Sequence, residues 1–439
     1  MAGQQERRPV GGNSKLDKVC VSAIKITSRC WIFILLSDSR PTVVRPINRQ
    51  TNNMKRLVLF GAALLLGISG RAADWPIFRG DRGLTGIAQG KLPAKLSLLW
   101  KFDAKGPVKA SAVIGGGMVF VGGDDNAKKG LKGKLYAINL STGKKEWEFT
   151  CNDPVEAPAM YLNGRVYFGG IDGFAYCLDA KTGKEQWKFE TGDQIVGGPN
   201  WTKSADGKKT YVLIGSHDFF LYCLEAETGK KVWEYESENY INGSPALTEG
   251  RTMFGGCDAM LHVIDITKGE KDKMINANSY IIGSVAADTG RVYVGHHDNE
   301  FLCIDLKAGK IVWNYKDRLF PYSSSPAVTK DHVLFGGQDK RLHCVRRDNG
   351  KQIWVFSTRG QVNSSPVVCD GKVLVGSDDG RLYMVSLTTG KRLWDFETED
   401  VISASPAVAN GRVVIGSEDG KVYCFGQKKK WCVGWLESR

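Results

Sequence analysis

The side chains able to do chemistry in this 439-residue sequence fall into small groups set at regular distances. His217, Cys257 and His297 each stand directly before an Asp in a Gly-x-x-Asp turn, 40 residues apart. Imidazole and thiolate are metal-ligand types. At that spacing, however, they belong to three separate copies of one unit, too far apart for a single ion, so no metal site is expected. Asp378, Glu418 and Asp124 hold the same place in three other copies. They read as solvated turns, with a cation- or partner-binding surface as the sharper alternative. No Ser-His-Asp or Cys-His arrangement, phosphate loop or zinc motif is present, and no catalytic residue is assigned.

The turn Asp recurs eight times, at Asp125, Asp172, Asp218, Asp258, Asp298, Asp339, Asp379 and Asp419. A residue that recurs in every unit does a job that every unit needs, and Asp accepts hydrogen bonds from its own turn backbone. These eight are read as structural. Fifteen residues after most of them comes a Trp: Trp187, Trp233, Trp313, Trp354 and Trp394. Trp147 lies further from Asp125 because of a Lys- and Gly-rich insertion, Asn126 to Lys132, and Lys273 replaces the Trp of the fourth copy. Eight residues beyond the Trp position a new unit opens with Val or Ile, as at Val155, Ile195, Ile241, Ile281, Val362 and Ile402, with Pro321 in the sixth copy. His262 and His343 fall where other copies have Tyr and are read as packing residues.

Between these landmarks each copy alternates short β-rich runs with turn residues, as in Val373–Val375, Gly376–Gly380, Leu382–Leu387, Thr388–Lys391 and Leu393–Phe396. Four strands in about 40 residues, repeated eight times, predict an all-β, eight-bladed β-propeller of four-stranded antiparallel blades. Trp100 is an outer-strand Trp with no preceding strands. The eighth copy has the opposite defect, since no Thr-Gly-x-x-x-Trp follows Val422–Phe425. The N-terminal strand around Trp100 is therefore expected to complete the last blade and close the ring. Trp100 and the six other indoles (Trp147, Trp187, Trp233, Trp313, Trp354, Trp394) are expected to cover the seams between blades.

The stretch Cys177-Leu-Asp-Ala-Lys-Thr-Gly-Lys-Glu-Gln-Trp187, with Ala137–Trp147 and Cys223–Trp233, resembles the tryptophan-docking motif of pyrroloquinoline-quinone (PQQ) repeat propellers. The resemblance covers roughly residues 98–427. It implies the eight-bladed fold. The family includes quinoprotein dehydrogenases, the BamB subunit of outer-membrane assembly and many secreted propellers, so it leaves the function open.

The domain reading follows. Residues 1–53 lack the repeat pattern and are expected to be a mis-assigned or non-structural extension. Residues 54–73 read as a signal peptide: Met54-Lys55-Arg56, an apolar run to Ile68, and small residues ending at Ala72 and Ala73, where cleavage is expected. The apolar run is too short to span a bilayer. Residues 74–97 are a strap containing Trp75 and Phe78, 98–427 the propeller, and 428–439 a basic-aromatic tail. Of the formal net charge of +13, residues 1–73 carry +9, which leaves +4 for the exported part. Nucleic-acid binding is accordingly not expected. No Cys follows the expected cleavage site, so a lipid anchor of the BamB type is missing.

Nine Cys remain in the exported part. Cys177, Cys223, Cys303, Cys344 and Cys424 share one repeat slot, where Ala137 stands in the first copy. A slot filled by Ala or Cys is small and buried, and free thiols are expected.

Function is sought where the copies differ. Lys109, Glu156, Asn242, Asn363 and Ser403 follow the opening Val or Ile and vary between copies. They are the candidate ligand- or partner-binding groups at the mouth of the axial channel, as against filler polar residues. A quinoprotein dehydrogenase would need PQQ, a calcium ion and an Asp base. The blades here are close to minimal length, without insertions to build such a site, and there is no adjacent Cys pair. The expectation is an exported, monomeric, non-catalytic propeller, periplasmic or secreted, that needs no cofactor and binds an envelope or secreted protein. The alternative is a PQQ- and Ca²⁺-dependent alcohol or sugar dehydrogenase, or a small-ligand-binding propeller.

Overall fold

We analysed a computed structural model of the chain, which describes residues 74–125 and 132–428. The expected extension and signal peptide, most of the first-blade insertion and residues 429–439 of the tail lie outside the described residues. Among the described residues there are 32 strands and no helix. They form eight separate four-stranded antiparallel sheets. Seven are consecutive in the chain, from Val113–Cys151 to Val367–Glu397. The eighth joins three C-terminal strands, Ala407–Ala409, Arg412–Ser417 and Lys421–Gly426, to Ser97–Asp103 at its outer edge. Trp100 pairs with Cys424 there. The complementary defects of the first and last copies thus close the ring.

Within a blade the two middle strands carry runs of buried apolar residues. The outer strand alternates exposed and covered residues, as in Lys231–Glu236. That is the pattern of sheets stacked face to face around an axis with one edge towards water. The small slot now has a physical reason: Cys177, Cys223, Cys303, Cys344 and Cys424 lie directly opposite Trp187, Trp233, Trp313, Trp354 and Trp100 across the outer strand pair. A small side chain leaves room for the indole. All eight described cysteines are free thiols. Burial pushes Cys177 and Cys303 up to about 11, so they stay protonated and inert at neutral pH.

Six of the seven indoles leave their own blade and lie over the glycine turn of the next, while Trp394 packs on Phe425 of the last blade. Trp100, Trp147, Trp187, Trp233, Trp313 and Trp354 cover Gly143, Gly183, Gly229, Gly269, Gly350 and Gly390 so closely that a Cβ there would strike the ring. Five of these indoles also donate Nε1–H to a carbonyl of that neighbour: Leu140, Ala180, Ala226, Arg347 and Leu387, at 2.8–3.0 Å. Trp233 Nε1 is buried without a partner. Lys273 keeps the polar half of the job, donating to Leu306 O and Lys307 O at 2.7 and 2.8 Å. It cannot supply the ring, and Gly309 opposite faces open space.

Two positions differ from the sequence reading. The opening Val and Ile residues are not the start of the inner strand, which begins five residues later, for example at Met160 after Val155. They lie in an extended lead-in and pack on a Gly of the second strand, as Val155 does on Gly122 and Ile195 on Gly169. In the sixth blade that place belongs to Tyr322, packed on Gly295, not to Pro321. One extra residue in the preceding connection shifts the count.

The strap does more than seat Trp75 and Phe78. It follows the ring along the ends of the inner strands. Tyr161, Leu247, Ala287, Val328 and Val368 donate backbone N–H groups to Pro76, Arg82, Gly83, Thr85 and Gly86. Trp75 and Ile114 exchange both bonds at 2.9 and 2.8 Å. One peptide thereby links blades that otherwise touch only their neighbours.

Candidate functional site

Antiparallel alternation gives the ring two faces. The strap and the Thr-Gly turns lie on one, and the Asp turns and blade-to-blade connections on the other. The structure brings Lys109, Glu156, Asn242, Asn363 and Ser403 together on the Asp-turn side, around one axial cavity of about 190 Å³. Phe78 of the strap also lines it, which blocks the channel from below. Next to Phe78, Arg79 is fully buried and donates to Pro326 O and Ser365 O, both at 3.1 Å, and to Pro366 O. Desolvation lowers its pKa to about 9, opposed by Asp81, so it is charged at neutral pH. Its two terminal nitrogens are held by backbone carbonyls, while Nε is buried without a partner. Arg82 stacks over Trp201 at 4.9 Å.

The groups at the mouth are paired with one another. Lys109 Nζ bonds Glu156 Oε1 at 3.0 Å. That bond, together with the charges of Glu156, Glu418 and Asp124, raises the Lys109 pKa. Asn242 Nδ2 donates to Cys257 Sγ at 2.9 Å, Asn363 Nδ2 to Asp378 Oδ2 at 2.8 Å, and Ser403 Oγ to Glu418 Oε1 at 2.7 Å. In the last three of these pairs the residue after the opening apolar one meets the residue before the turn Asp, fifteen positions on. Asp378 Oδ1 is buried without a partner. Burial, then repulsion from Glu418 and Asp379, raises its pKa despite the Asn363 bond.

Below the mouth runs a belt that the sequence reading missed. Backbone N–H groups of Gly198, Ser244, Ser284, Ser325, Ser365 and Ser405 each donate to the serine hydroxyl of the next blade at 2.8–3.0 Å. The belt ends on Ser111 and is broken at Pro158, which has neither N–H nor hydroxyl. Its trace in the sequence is the Ser-Pro pair that recurs at Ser244-Pro245, Ser325-Pro326, Ser365-Pro366 and Ser405-Pro406.

The turn Asp residues fasten blades as well as turns. Asp172, Asp218, Asp379 and Asp419 each accept a bond from their own turn, one from a Tyr hydroxyl four residues on, and one from a backbone N–H of the preceding blade. Asp125 accepts from Lys132 N at 3.0 Å across the insertion. Asp258 uses His262 in place of Tyr, at 2.6 Å. Desolvation would raise the Asp258 pKa, but the His262 and backbone bonds hold it below the usual carboxylate range. In blade six His343 Nε2 stands 3.2 Å from the Asp339 carboxylate. For Asp298 only the turn bond from its own N–H to His296 Nδ1, at 3.1 Å, is seen. His217 and His297 are not drawn into a metal cluster with Cys257. They stack near Tyr240 and Tyr280, with ring centroids 4.9 and 6.5 Å apart.

Around the mouth the connections and turns of blades three to six expose apolar side chains: Phe219, Tyr240, Tyr280, Ile282, Leu319 and Phe320. Leu319 is 78% and Tyr280 55% exposed. Phe219 occupies a left-handed position, φ 80°, that Gly173, Gly380 and Gly420 fill in blades two, seven and eight and Ala259, Asn299 and Lys340 fill in blades four to six.

The family model described as outer membrane protein assembly factor BamB matches residues 94–315 and 314–429. The chain belongs to this family of PQQ-repeat propellers. No curated protein matches it. Among solved structures it is similar to BamB from Moraxella catarrhalis, with TM-score 0.61 and 17% identity over 76% of this chain and 100% of that one. It is also similar to a europium-containing methanol dehydrogenase, with TM-score 0.65 and 13% identity over 81% and 98%. A third is the quinohemoprotein alcohol dehydrogenase of Comamonas testosteroni, with TM-score 0.68 and 16% identity over 84% and 83%. At these identities the likeness is one of fold. The family's dehydrogenases raise the question of a quinone and its cation at the mouth. The residues present do not fit them well. The cavity lies below the roughly 300–1,000 Å³ of ordinary ligand pockets, and its carboxylates are already bonded to Lys109, Asn363 and Ser403.

Proposed function

We propose that this propeller is a non-catalytic scaffold of the cell envelope that binds a protein partner through its Asp-turn face, in the manner its BamB relatives' name implies. The observation that carries this reading is the apolar arc of blades three to six, with Phe219 at its edge. A bulky residue at positive φ is costly where glycine is free. Exposed aromatic clusters mark interaction surfaces. The mouth itself supports the same reading, because Lys109, Asn242, Asn363 and Ser403 are each already bonded within the protein. The protein acts after export, with residues 54–73 as its signal and as a single ring. A PQQ-dependent dehydrogenase is the second reading, kept by the fold it shares with such enzymes.

The test is face-resolved cross-linking in cells. A photo-reactive amino acid at Tyr280 or Phe320 should yield a discrete adduct with one envelope protein. The same group at Val232 or Leu393, exposed on outer strands, should not. Equal adducts from both sets, or none from the face, would sink the proposal.

A further inference from the structure

The turn Asp of blade six sits in surroundings that no other blade reproduces. Asp339 has a side chain 1% exposed, yet its Oδ2 has no hydrogen-bond partner. Its counterparts Asp172, Asp218, Asp379 and Asp419 receive a backbone N–H from the preceding blade. Here the extra residue before Tyr322 changes the connection, and the N–H of Asp317 turns to the Tyr322 hydroxyl instead, at 3.4 Å. What faces Asp339 is a second carboxylate, that of Asp317. One ligand atom from each of Asp317, Asp339 and His343 lies within 4.8 Å of the other two.

The imidazole is set up to offer a lone pair. Tyr315 donates its hydroxyl proton to Gln352 Oε1 at 2.8 Å. His343 Nδ1, 3.1 Å from that hydroxyl, must then be the donor between them. In the neutral ring Nε2 is left unprotonated, and it points at the Asp339 carboxylate 3.2 Å away. Two acceptors face each other, and a positive charge between them resolves the conflict. Arg341 is the only nearby guanidinium among the described ion pairs. It bonds Asp317 at 2.7 Å but stays 3.9 Å from Asp339 Oδ2. Two carboxylates against one guanidinium leave a net negative charge. The blade-four pair makes the contrast: His262 and Asp258 are in direct contact at 2.6 Å, no further carboxylate joins them, and both Asp258 oxygens are bonded.

We propose that Asp317, Asp339 and His343 form a binding site for a divalent first-row transition cation. One imidazole nitrogen with two carboxylate oxygens is a donor set that suits Zn²⁺ and its neighbours. Arg341, itself partly exposed, yields Asp317 to the ion, and the remaining coordination positions go to water. The site lies at the connection that carries Leu319 and Phe320, so occupancy ties that loop to the blade-six turn.

Calorimetric titration of the untagged full chain with Zn²⁺ tests this. The expected result is saturable uptake of one equivalent, with Co²⁺ at the same site giving visible ligand-field bands. His343→Tyr installs the residue that Tyr176, Tyr222, Tyr383 and Tyr423 supply at this slot, so it keeps the turn while removing a ligand. It and Asp317→Asn should each weaken binding more than about tenfold. His262→Tyr, the matching change in blade four, should leave it unaltered. Absence of stoichiometric uptake would overturn the proposal. So would uptake that survives both His343→Tyr and Asp317→Asn, or that is lost in His262→Tyr.

Discussion

Phe219 shows how a single residue can reveal what a surface is for. Left-handed backbone costs an L-residue roughly 1–2 kcal/mol, and the same turn accepts glycine in blades two, seven and eight. Phe219→Gly is therefore expected to raise the melting temperature by about 2 °C while weakening the face's cross-link to its partner. A variant that melts lower would show that Phe219 is held by packing alone. Asp378 makes a complementary case. Its folded pKa is raised, so the native state prefers it protonated. Its contribution to stability is present at acid pH and is lost as pH rises through the folded value, so the charged form is a burden at neutrality. Asp378→Asn should then raise the melting temperature by about 1 °C at pH 7, and the gain should vanish near pH 4. Melting curves at the two pH values check both statements. A gain that persists at pH 4 would mean that charge is not the cause.

At the scale of the element, the unit of construction is the seam between blades. A complete seam, such as that between blades six and seven, combines an indole over a glycine, an Asp reaching back to the preceding blade, and a serine at the axis. The seam between blades four and five lacks the indole, and Gly309 faces the gap. Lys273→Trp should fill it and raise the thermal midpoint by about 2–4 °C, as read by calorimetry. A lower midpoint would mean that the two bonds of Lys273 to Leu306 O and Lys307 O outweigh ring packing. Much of this construction was legible in the sequence. The recurring Asp, Trp and Thr-Gly residues set the period, and the unmatched Trp100 and unfinished eighth copy pointed to each other. What stayed hidden has physical reasons. The strap binds through backbone groups, which no side-chain pattern announces. The offset between opening residue and inner strand is a matter of backbone path. Tyr322 was displaced by one inserted residue, and a count cannot tell which neighbour then fills the slot.

For the whole molecule, the five variable residues chosen from the sequence do meet at one mouth, but as partners of one another and of the residues before the turn Asp. The apolar arc was not foreseen. Tyr240 and Tyr280 each precede an opening Ile, 40 residues apart, whereas Phe219 lies in a turn and Leu319 and Phe320 in a longer connection; only the ring brings them to one face. The strap closes the axis with Phe78 and Arg79 and ties the ring together, leaving that face as the surface where blades differ most. The central claim is that the face, and not the channel, is the working part. Titration of the purified protein with PQQ in the presence of Ca²⁺, followed by calorimetry and quinone absorbance, tests it most directly. The account predicts no saturable heat and an unchanged quinone spectrum. Uptake of one equivalent with a shifted absorbance would contradict it and make the channel mouth a cofactor site.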